Sequence, residues 1–302
     1  MIRVLIIGYG SIAERHRTCL IELFVDVEID IVTKRTDVSF ANSKVFSSLD
    51  DVTKIRDYDY YIIANETSKH FESFQRLNLI LHEKIIFIEK PLFEKCYPVQ
   101  KGSNSIFVGY HFRFSPLLQY LRLNLDLSKV IYVQAMVGQY LPTWRPQRDY
   151  RRSYSSSSQL GGGVLRDLSH ELDYLSWLFG SFKEFKYISE KISDLDIDSD
   201  DLFLAIGKLG EKVTFNLSMD YISKVSMRKL IVHTNIETWE IDFIKSTIYK
   251  SSSGVKSFTI ENNFMYKEMH KKILSKNVKD VCSMDDALKL TRLIDSTTKE
   301  IE

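Results

Sequence analysis

The chain has 302 residues, 44% apolar and 27% charged, with a formal net charge of +1. That length exceeds one small core and suits two domains or one large α/β unit, and the balanced charge excludes nucleic acid or an anionic membrane as partners recruited by bulk charge. Cys19, Cys96 and Cys282 stand far apart, with neither metal nor disulfide spacing, so a reducing cytoplasm and no metal site are expected. The apolar start breaks at Gly8, and no other run approaches the length of a membrane span.

The first stretch, IRVLIIGYGSIAERH, is a β-branched run, then Gly-x-Gly, then a helical pattern. This is the strand–turn–helix setting of a dinucleotide fingerprint. Gly8 permits the tight turn, Gly10 removes a Cβ that would block a pyrophosphate, and Ala13 takes the place of the third glycine. The amides of a helix starting near Ser11 and Ile12 can then face phosphate oxygens.

The second strand, VEIDIVTKR, is read as ending at Val32. An NAD site usually ends this strand with an acid that holds the ribose 2′-hydroxyl. Here Thr33, Lys34 and Arg35 follow, a set that suits a 2′-phosphate and favours NADP over NAD, with Asp30 as the competitor if the strand ends earlier. A third strand in YDYYIIAN, a helix in HFESFQRLNLILHEK and a strand in IIFIEKPL continue the alternation, which predicts a doubly wound parallel sheet. Ligands on such sheets sit at the carboxyl ends of the strands. Asn65, Thr67 and His70 lie at one such end, and Glu89, Lys90 and Pro91 at another.

The segment GGGVLRDLSHELDYLSWLFG carries two rows at helical spacing. Leu165, Leu168, Leu172, Leu175 and Phe179 form a core stripe, while Asp167, His170, Tyr174 and Trp177 form a second row nearly opposite. Further on, WRPQRDYRR sets Arg145 and Arg148 among Trp144 and Tyr150. Arginine forks suit carboxylate or phosphate, and aromatic rings stack on sugars or bases. An anionic sugar, such as a sugar acid or a nucleotide-linked sugar, is therefore the expected substrate, with Arg113 of HFRFSP as a further contact. Arg151 and Arg152 fit a solvated basic loop equally well, and Ser155 to Ser158 reads as a mobile loop.

The glycine turn, the EKPL segment and GGG-x-x-x-Asp leading to His and Asp together resemble the Gfo/Idh/MocA oxidoreductases. The similarity runs on through VGYHFRFSP and YLPTWRPQRDYRRSYS, and the latter looks like a branch found with bacterial surface-sugar pathways. The resemblance implies an α/β protein: a Rossmann domain at 1–115, then a C-terminal α/β domain at 116–302 with an open, mostly antiparallel sheet. The sheet's outer face would make a homodimer or homotetramer. Strand-like segments fit that expectation: KVIYVQAMVGQYL, EFKYISEKI, DLFLAIGKL, KVTFNLSMDYI and KLIVHTNIETWEIDF. Helices in NNFMYKEMHKKILS and SMDDALKLTRLIDSTTKEI close the chain.

The same resemblance implies an NAD(P)-dependent sugar oxidoreductase. Lys90 would hydrogen-bond the substrate oxygen, His170 would act as general base or acid, and Asp167 would orient His170 or touch the substrate. His70 and Glu89 are read as positioning the nicotinamide, and Asp173 as contacting substrate or fixing the helix. A non-catalytic dinucleotide-binding regulator, or an epimerase with tightly held cofactor, is the alternative. One departure matters: the family usually places His four residues after this Asp, and His170 follows Asp167 by three. On a regular helix that moves His from about 40° on one side of Asp to about 60° on the other. Either RDLSH is not regular helix, with Ser169 available as a cap, or Asp167 is not the family's partner.

Overall fold

A computed structural model of the chain describes residues 1–100 and 102–297. Among the described residues the chain divides into two compact units, Met1–Phe114 with Asn262–Arg292, and Ser115–Glu261 with residues 293–297. A single cut near 115 was expected; instead the chain returns to the first unit late.

The first unit begins β1 (Ile2–Ile7), α1 (Ser11–Leu23), β2 (Val27–Val32), β3 (Val45–Phe46), β4 (Tyr60–Ile63), α2 (His70–Ile80), β5 (Ile85–Ile88) and β6 (Ser105–Val108). The chain then supplies α3 (Pro116–Asn124), β7 (Val130–Gly138), α4 (Val164–Asp167), α5 (His170–Phe179), β8 (Phe182–Glu190), β9 (Leu202–Leu209) and β10 (Val213–Asp220) to the second. That unit continues with β11 (Met227–Thr234), β12 (Thr238–Asp242), β13 (Thr247–Lys250) and β14 (Gly254–Ser257), before α6 (Phe264–Leu274), β15 (Cys282–Ser283) and α7 (Met284–Thr297). Residues 298–302 of the last expected helix lie outside the described residues.

The first sheet runs β15-β6-β5-β4-β1-β2-β3, parallel throughout except for the antiparallel β15. Strands β1, β4 and β5 are buried on both faces, which is why they read as unbroken apolar runs rather than alternating ones. On one face α1 and α6 share a core, with Leu20, Met269 and Ile273 packed with Val4, Ile6 and Ile62. This packing and the pairing of β15 with β6 are what bring the late segment back to the first unit.

The second sheet runs β14-β13-β12-β11-β7-β10-β9-β8, antiparallel except for the β7–β10 pair. Strand β10 alternates strictly between buried and half-buried positions, as a sheet with one covered face requires. The segment KLIVHTNIETWEIDF is two strands rather than one. Thr234 closes the turn, its Oγ1 accepting from Ile236 and Glu237 amides at 3.2 and 3.0 Å. Strands β13 and β14 were not expected, being only four residues each and largely polar.

The 161–180 segment is likewise two helices. Regular bonding stops after Leu168, and the Glu171 amide reaches back only three residues to the Leu168 carbonyl. Leu172 and Leu175 are buried on one side of α5 and Asp173 and Tyr174 on others, while Ser176 and Trp177 stay half-buried. The fully buried Glu171 is met by a two-point contact from Arg228 of β11, Nε to Oε1 and Nη2 to Oε2, each 2.7 Å. The serine run, expected to be mobile, is a packed turn. Ser155 and Ser156 are buried, the Ser156 hydroxyl donates to the Arg151 carbonyl at 2.8 Å, and the Ser199 hydroxyl donates to that of Ser155 at 2.7 Å.

Removing one member of a buried pair strands the other charge. Arg228→Met should therefore cost about 3–5 kcal/mol, while the double variant Glu171→Met/Arg228→Met should recover most of that loss. Urea denaturation of the two variants measures the difference. Equal destabilisation by both would show that the pair contributes only packing.

Candidate functional site

In the first unit the parallel topology gathers the ends of β1, β4 and β5 on one edge. Gly8 adopts φ +90°, its amide donates to the Val32 carbonyl at 2.8 Å, and a Cβ there would lie 2.5 Å from the Asn65 Cα. Glycine is thus required for β1's turn to approach the end of β4. Gly10 differs: a Cβ there would meet nothing within 4 Å. It precedes α1, whose start no side chain caps, so the Ser11 and Ile12 amides begin a 13-residue helix with no side-chain capping bond, and Glu14 is the acid of its first turn. Asn65 fixes itself through Nδ2 to the Ser73 hydroxyl at 2.9 Å, while its buried Oδ1 has no protein partner. Open space at Gly10, an uncapped helix start and an orphaned amide oxygen fit a dinucleotide. Thr67 stands at the start of the 3-10 turn Thr67–Lys69 on the same edge.

Strand β2 ends at Val32, followed by Thr33, Lys34 and Arg35. Asp30, the competing ribose ligand, is committed elsewhere: it accepts from the Lys44 amide at 2.7 Å and the Tyr58 hydroxyl at 2.6 Å. Its position on the strand, not its charge, rules it out. Arg35 is also engaged. Its Nε and Nη2 meet both Asp37 oxygens at 3.0 and 2.5 Å, and Nη1 donates to the Tyr9 carbonyl at 3.1 Å.

Two residues expected to face the nicotinamide are committed to the protein. His70 is buried, with Nδ1 facing the Pro91 and Leu92 carbonyls at 3.1 and 3.2 Å and Nε2 facing the Asn65 carbonyl at 3.2 Å. Burial lowers its pKa despite those acceptors. It ties the end of β4 to the segment after β5. Glu89 is buried too, Oε2 accepting from the Lys90 amide at 3.1 Å and Oε1 from His16 at 2.8 Å. Lys90, half-buried, follows on the same edge. Arg113, expected at the substrate, sits buried in the 3-10 turn His111–Phe114 and pairs with Asp286 of α7 at 3.2 Å.

The second unit brings Asp167, His170, Tyr221 and Trp144 into one region. Gly163, at φ +113°, leads into α4, and a Cβ there would fall 1.9 Å from Asp200 Oδ1. Asp200 can then accept the Leu165 amide at 3.0 Å, and burial pushes its carboxyl up to about 6. Asp167 ends α4 and accepts the Tyr221 hydroxyl at 2.6 Å. Burial, then the Asp167 charge, hold that phenol well above its ordinary pKa. Trp144 packs edge-on against Tyr221 at 5.2 Å. His170 opens α5 and is 5% exposed.

The one-residue spacing anomaly now has a structural cause: RDLSH is not regular helix. Ser169 does precede α5, but its side chain makes no capping bond, so the expected cap is absent. Asp173 is fully buried. In the arginine segment, Arg145 and Arg148 are exposed, Tyr150 accepts the Asp196 amide at 3.3 Å, and Arg151 is tied two-fold to Asp149 at 2.9 and 2.8 Å. Sequence reasoning missed Tyr221 and Asp200, which lie outside the motifs, and His16, which ends the fingerprint stretch with no local sign of its role. Among the described residues, no group of three or more His, Cys, Asp or Glu could hold a metal ion, and no helix is long and apolar enough to cross a membrane.

Comparison with known proteins places this geometry. Residues 2–103 match the oxidoreductase family with NAD-binding Rossmann fold, and residues 125–236 match the GFO/IDH/MocA C-terminal domain. An uncharacterized oxidoreductase of Synechocystis sp. is 26% identical over 162 residues, spanning 49% of this chain and 41% of that relative, so less than half of the relative is matched. Among solved structures, the WlbA dehydrogenase from Bordetella pertussis, in complex with NADH and UDP-GlcNAcA, has 14% identity and a TM-score of 0.77, covering 98% of this chain and 94% of that one. GnnA, a UDP-N-acetylglucosamine 3-dehydrogenase from Acidithiobacillus ferrooxidans, has 16% identity and a TM-score of 0.75 over 98% and 97%. An oxidoreductase from Thermotoga maritima has 15% identity and a TM-score of 0.82 over 99% and 96%. At such identities the likeness is one of fold. The two family matches cover both halves of the chain and, together, more than half of its residues, and by them the chain belongs to the Gfo/Idh/MocA oxidoreductase family.

Proposed function

We propose that the protein is an NAD(P)-dependent dehydrogenase or reductase acting on the CH–OH or C=O of an anionic or nucleotide-linked sugar, in the cytoplasm, in bacterial surface-polysaccharide biosynthesis. The observation that carries the reading is the carboxyl edge of the first sheet, where an unobstructed Gly10, an uncapped α1 and the free Asn65 Oδ1 share an edge with Lys90. When bound there, the dinucleotide supplies hydride transfer. The chain's own residues handle everything else. Ser11 and Ile12 amides hold the phosphates, Lys90 hydrogen-bonds the reacting oxygen, and His170 takes the carbinol proton in oxidation and returns it in reduction. Asp167, already holding Tyr221, positions that side of the site.

The exposed Arg145 and Arg148 beside Trp144 suit an anionic sugar. The structural likeness to WlbA, solved with NADH and UDP-GlcNAcA, supports the same substrate class. For the cofactor we favour NADP, held by Thr33 and Lys34, with Arg35 contributing once released from Asp37. Self-association through the open face of the second sheet is part of the proposal. There Ile206, Tyr249 and Val255, all exposed, stand in one cross-strand row.

Two experiments test this. With NAD(P)H formation followed at 340 nm on UDP-sugars and sugar acids, Lys90→Ala and His170→Ala should each lower kcat by about 10²–10⁴-fold. Dinucleotide affinity, measured by calorimetry, should stay near wild type, and normal turnover in both variants would sink the assignment. Cofactor still bound after purification, with no net absorbance change on turnover, would favour an epimerase instead; binding without any turnover would favour a regulator. For the cofactor, Asp37→Ala should lower KM for NADPH by roughly tenfold and leave that for NADH nearly unchanged, because it frees Arg35 for a 2′-phosphate. A much lower wild-type KM for NADH than for NADPH would overturn the NADP reading.

A further inference from the structure

Behind the edge that carries Lys90 lies a hydrogen-bond chain built wholly from buried side chains of the first unit. The Tyr60 hydroxyl on β4 is 3.0 Å from His270 Nδ1 on α6. His270 Nε2 is 2.8 Å from His16 Nδ1 on α1, and His16 Nε2 is 2.8 Å from Glu89 Oε1. Tyr60, His16 and His270 are each fully inaccessible to solvent. We propose that His16 and His270 are positioning residues for the Glu89–Lys90 segment: with Tyr60 at its head, the pair forms a one-way donor chain whose last N–H is aimed at the Glu89 carboxylate.

Proton counting sets the direction. A carboxylate only accepts, so the His16–Glu89 bond requires a proton on His16 Nε2. In a neutral His16, Nδ1 then accepts from His270 Nε2–H, and His270 Nδ1 accepts from the Tyr60 hydroxyl. Every donor and acceptor in the chain is used once. The alternative, a charged His16 donating at both nitrogens, reverses the His270 tautomer. The Tyr60 oxygen then accepts, and its own proton has no use within the chain. Buried polar groups are seldom left so. Burial pushes His270 well below its ordinary value and holds Tyr60 well above its own, so both of these groups stay neutral. Burial would raise Glu89, yet the bond from His16 and the nearby cationic groups bring it below the usual carboxylate range.

The chain matters to Lys90 because Glu89 is held at both oxygens. Oε1 takes the His16 proton and Oε2 takes the Lys90 amide at 3.1 Å. Gly109 leaves no slack, since a Cβ there would sit 2.7 Å from Oε1. The rings are further fixed edge-on: His16 against His270 at 5.0 Å and against Phe87 at 5.1 Å, and Tyr60 against His270 at 5.7 Å. A shift of His270 therefore passes through His16 and Glu89 to the backbone that carries the lysine.

The test pairs two variants of the full chain. His270→Phe keeps a ring and loses both bonds. His270→Gln keeps one acceptor for Tyr60 and one donor for His16. We expect His270→Phe to lower kcat about tenfold or more with dinucleotide Kd within about twofold, and His270→Gln to restore kcat to within about threefold of wild type. In NMR spectra the Lys90 amide signal should move in His270→Phe and hold in His270→Gln. Histidine ¹⁵N shifts in the wild type should show both imidazoles singly protonated, at Nε2. Tyr60→Phe deletes one hydroxyl with no change of ring, so it should perturb the His270 ¹⁵N shifts and the Lys90 amide even if His270→Phe fails to fold. A doubly protonated His16, an unmoved Lys90 amide in the variants that lack a bond, or His270→Gln as slow as His270→Phe would each overturn the proposal. The kinetic arm rests on the oxidoreductase reading; the NMR arm does not. A wild-type protein without turnover therefore defeats that reading, while the tautomers and the Lys90 amide still decide this one.

Discussion

A carboxylate enclosed by protein must be met by donors, and Glu89 is the place where the first unit satisfies that demand. The donors come from His16 of α1 and, through it, from His270 of α6 and Tyr60 of β4. Three elements far apart in sequence are thereby committed to one point at the end of β5. This explains why the late helix α6 belongs to the first unit: besides its apolar face, it carries an imidazole that the carboxylate's chain needs. The lysine that follows Glu89 inherits a backbone fixed from within, while its side chain stands at the edge.

The second unit solves a comparable problem with glycine. Asp200 comes so close to Gly163 that any side chain there would collide with it. The gain is an acceptor for the first amides of α4, whose short length leaves it few bonds of its own. At the other end of α4, Asp167 is saturated in part by Tyr221. The helix then stops, two residues pass, and α5 begins at His170. Because Asp167 and His170 sit on different helices, their angular relation is set by the intervening turn and not by 100° per residue. A three-residue spacing thus carries no penalty by itself. Where regular helix would force a choice between the two residues, the break lets each be placed independently.

The parallel sheet, the glycine turn and the end of β2 were legible because short-range rules govern them: β-branched runs, Gly-x-Gly before a helix, and strand length. The break in α4–α5 was signalled only as one of two alternatives, by the Asp167–His170 spacing, since neither proline nor glycine marks Leu168–Ser169. The serine run misled because its order comes from Arg151 and Ser199 rather than from its own composition. Glu89 misled through its neighbour. Consecutive residues at the end of an extended strand point to opposite sides, so if Lys90 faces a ligand, Glu89 faces the interior. That much was available from alternation alone. His16 and His270, 254 positions apart, offered no local signal; only the fold makes them a pair.

The end of β2 shows how position overrides charge. Asp30 has the right chemistry for a ribose hydroxyl, but two interior donors consume its oxygens. The next acid after the strand, Asp37, is consumed by Arg35. Arg35 is in turn drawn over the glycine turn by its bond to the Tyr9 carbonyl, so it braces the loop against the start of α1. Of the two cations that follow Thr33, one is thus spent on structure unless an incoming anion displaces Asp37. A guanidinium already paired two-fold gains little from a second anion, because the first must be given up. The preference for a 2′-phosphate therefore turns on Lys34 and on how firmly Asp37 holds Arg35, a balance between exposed groups that salt should weaken.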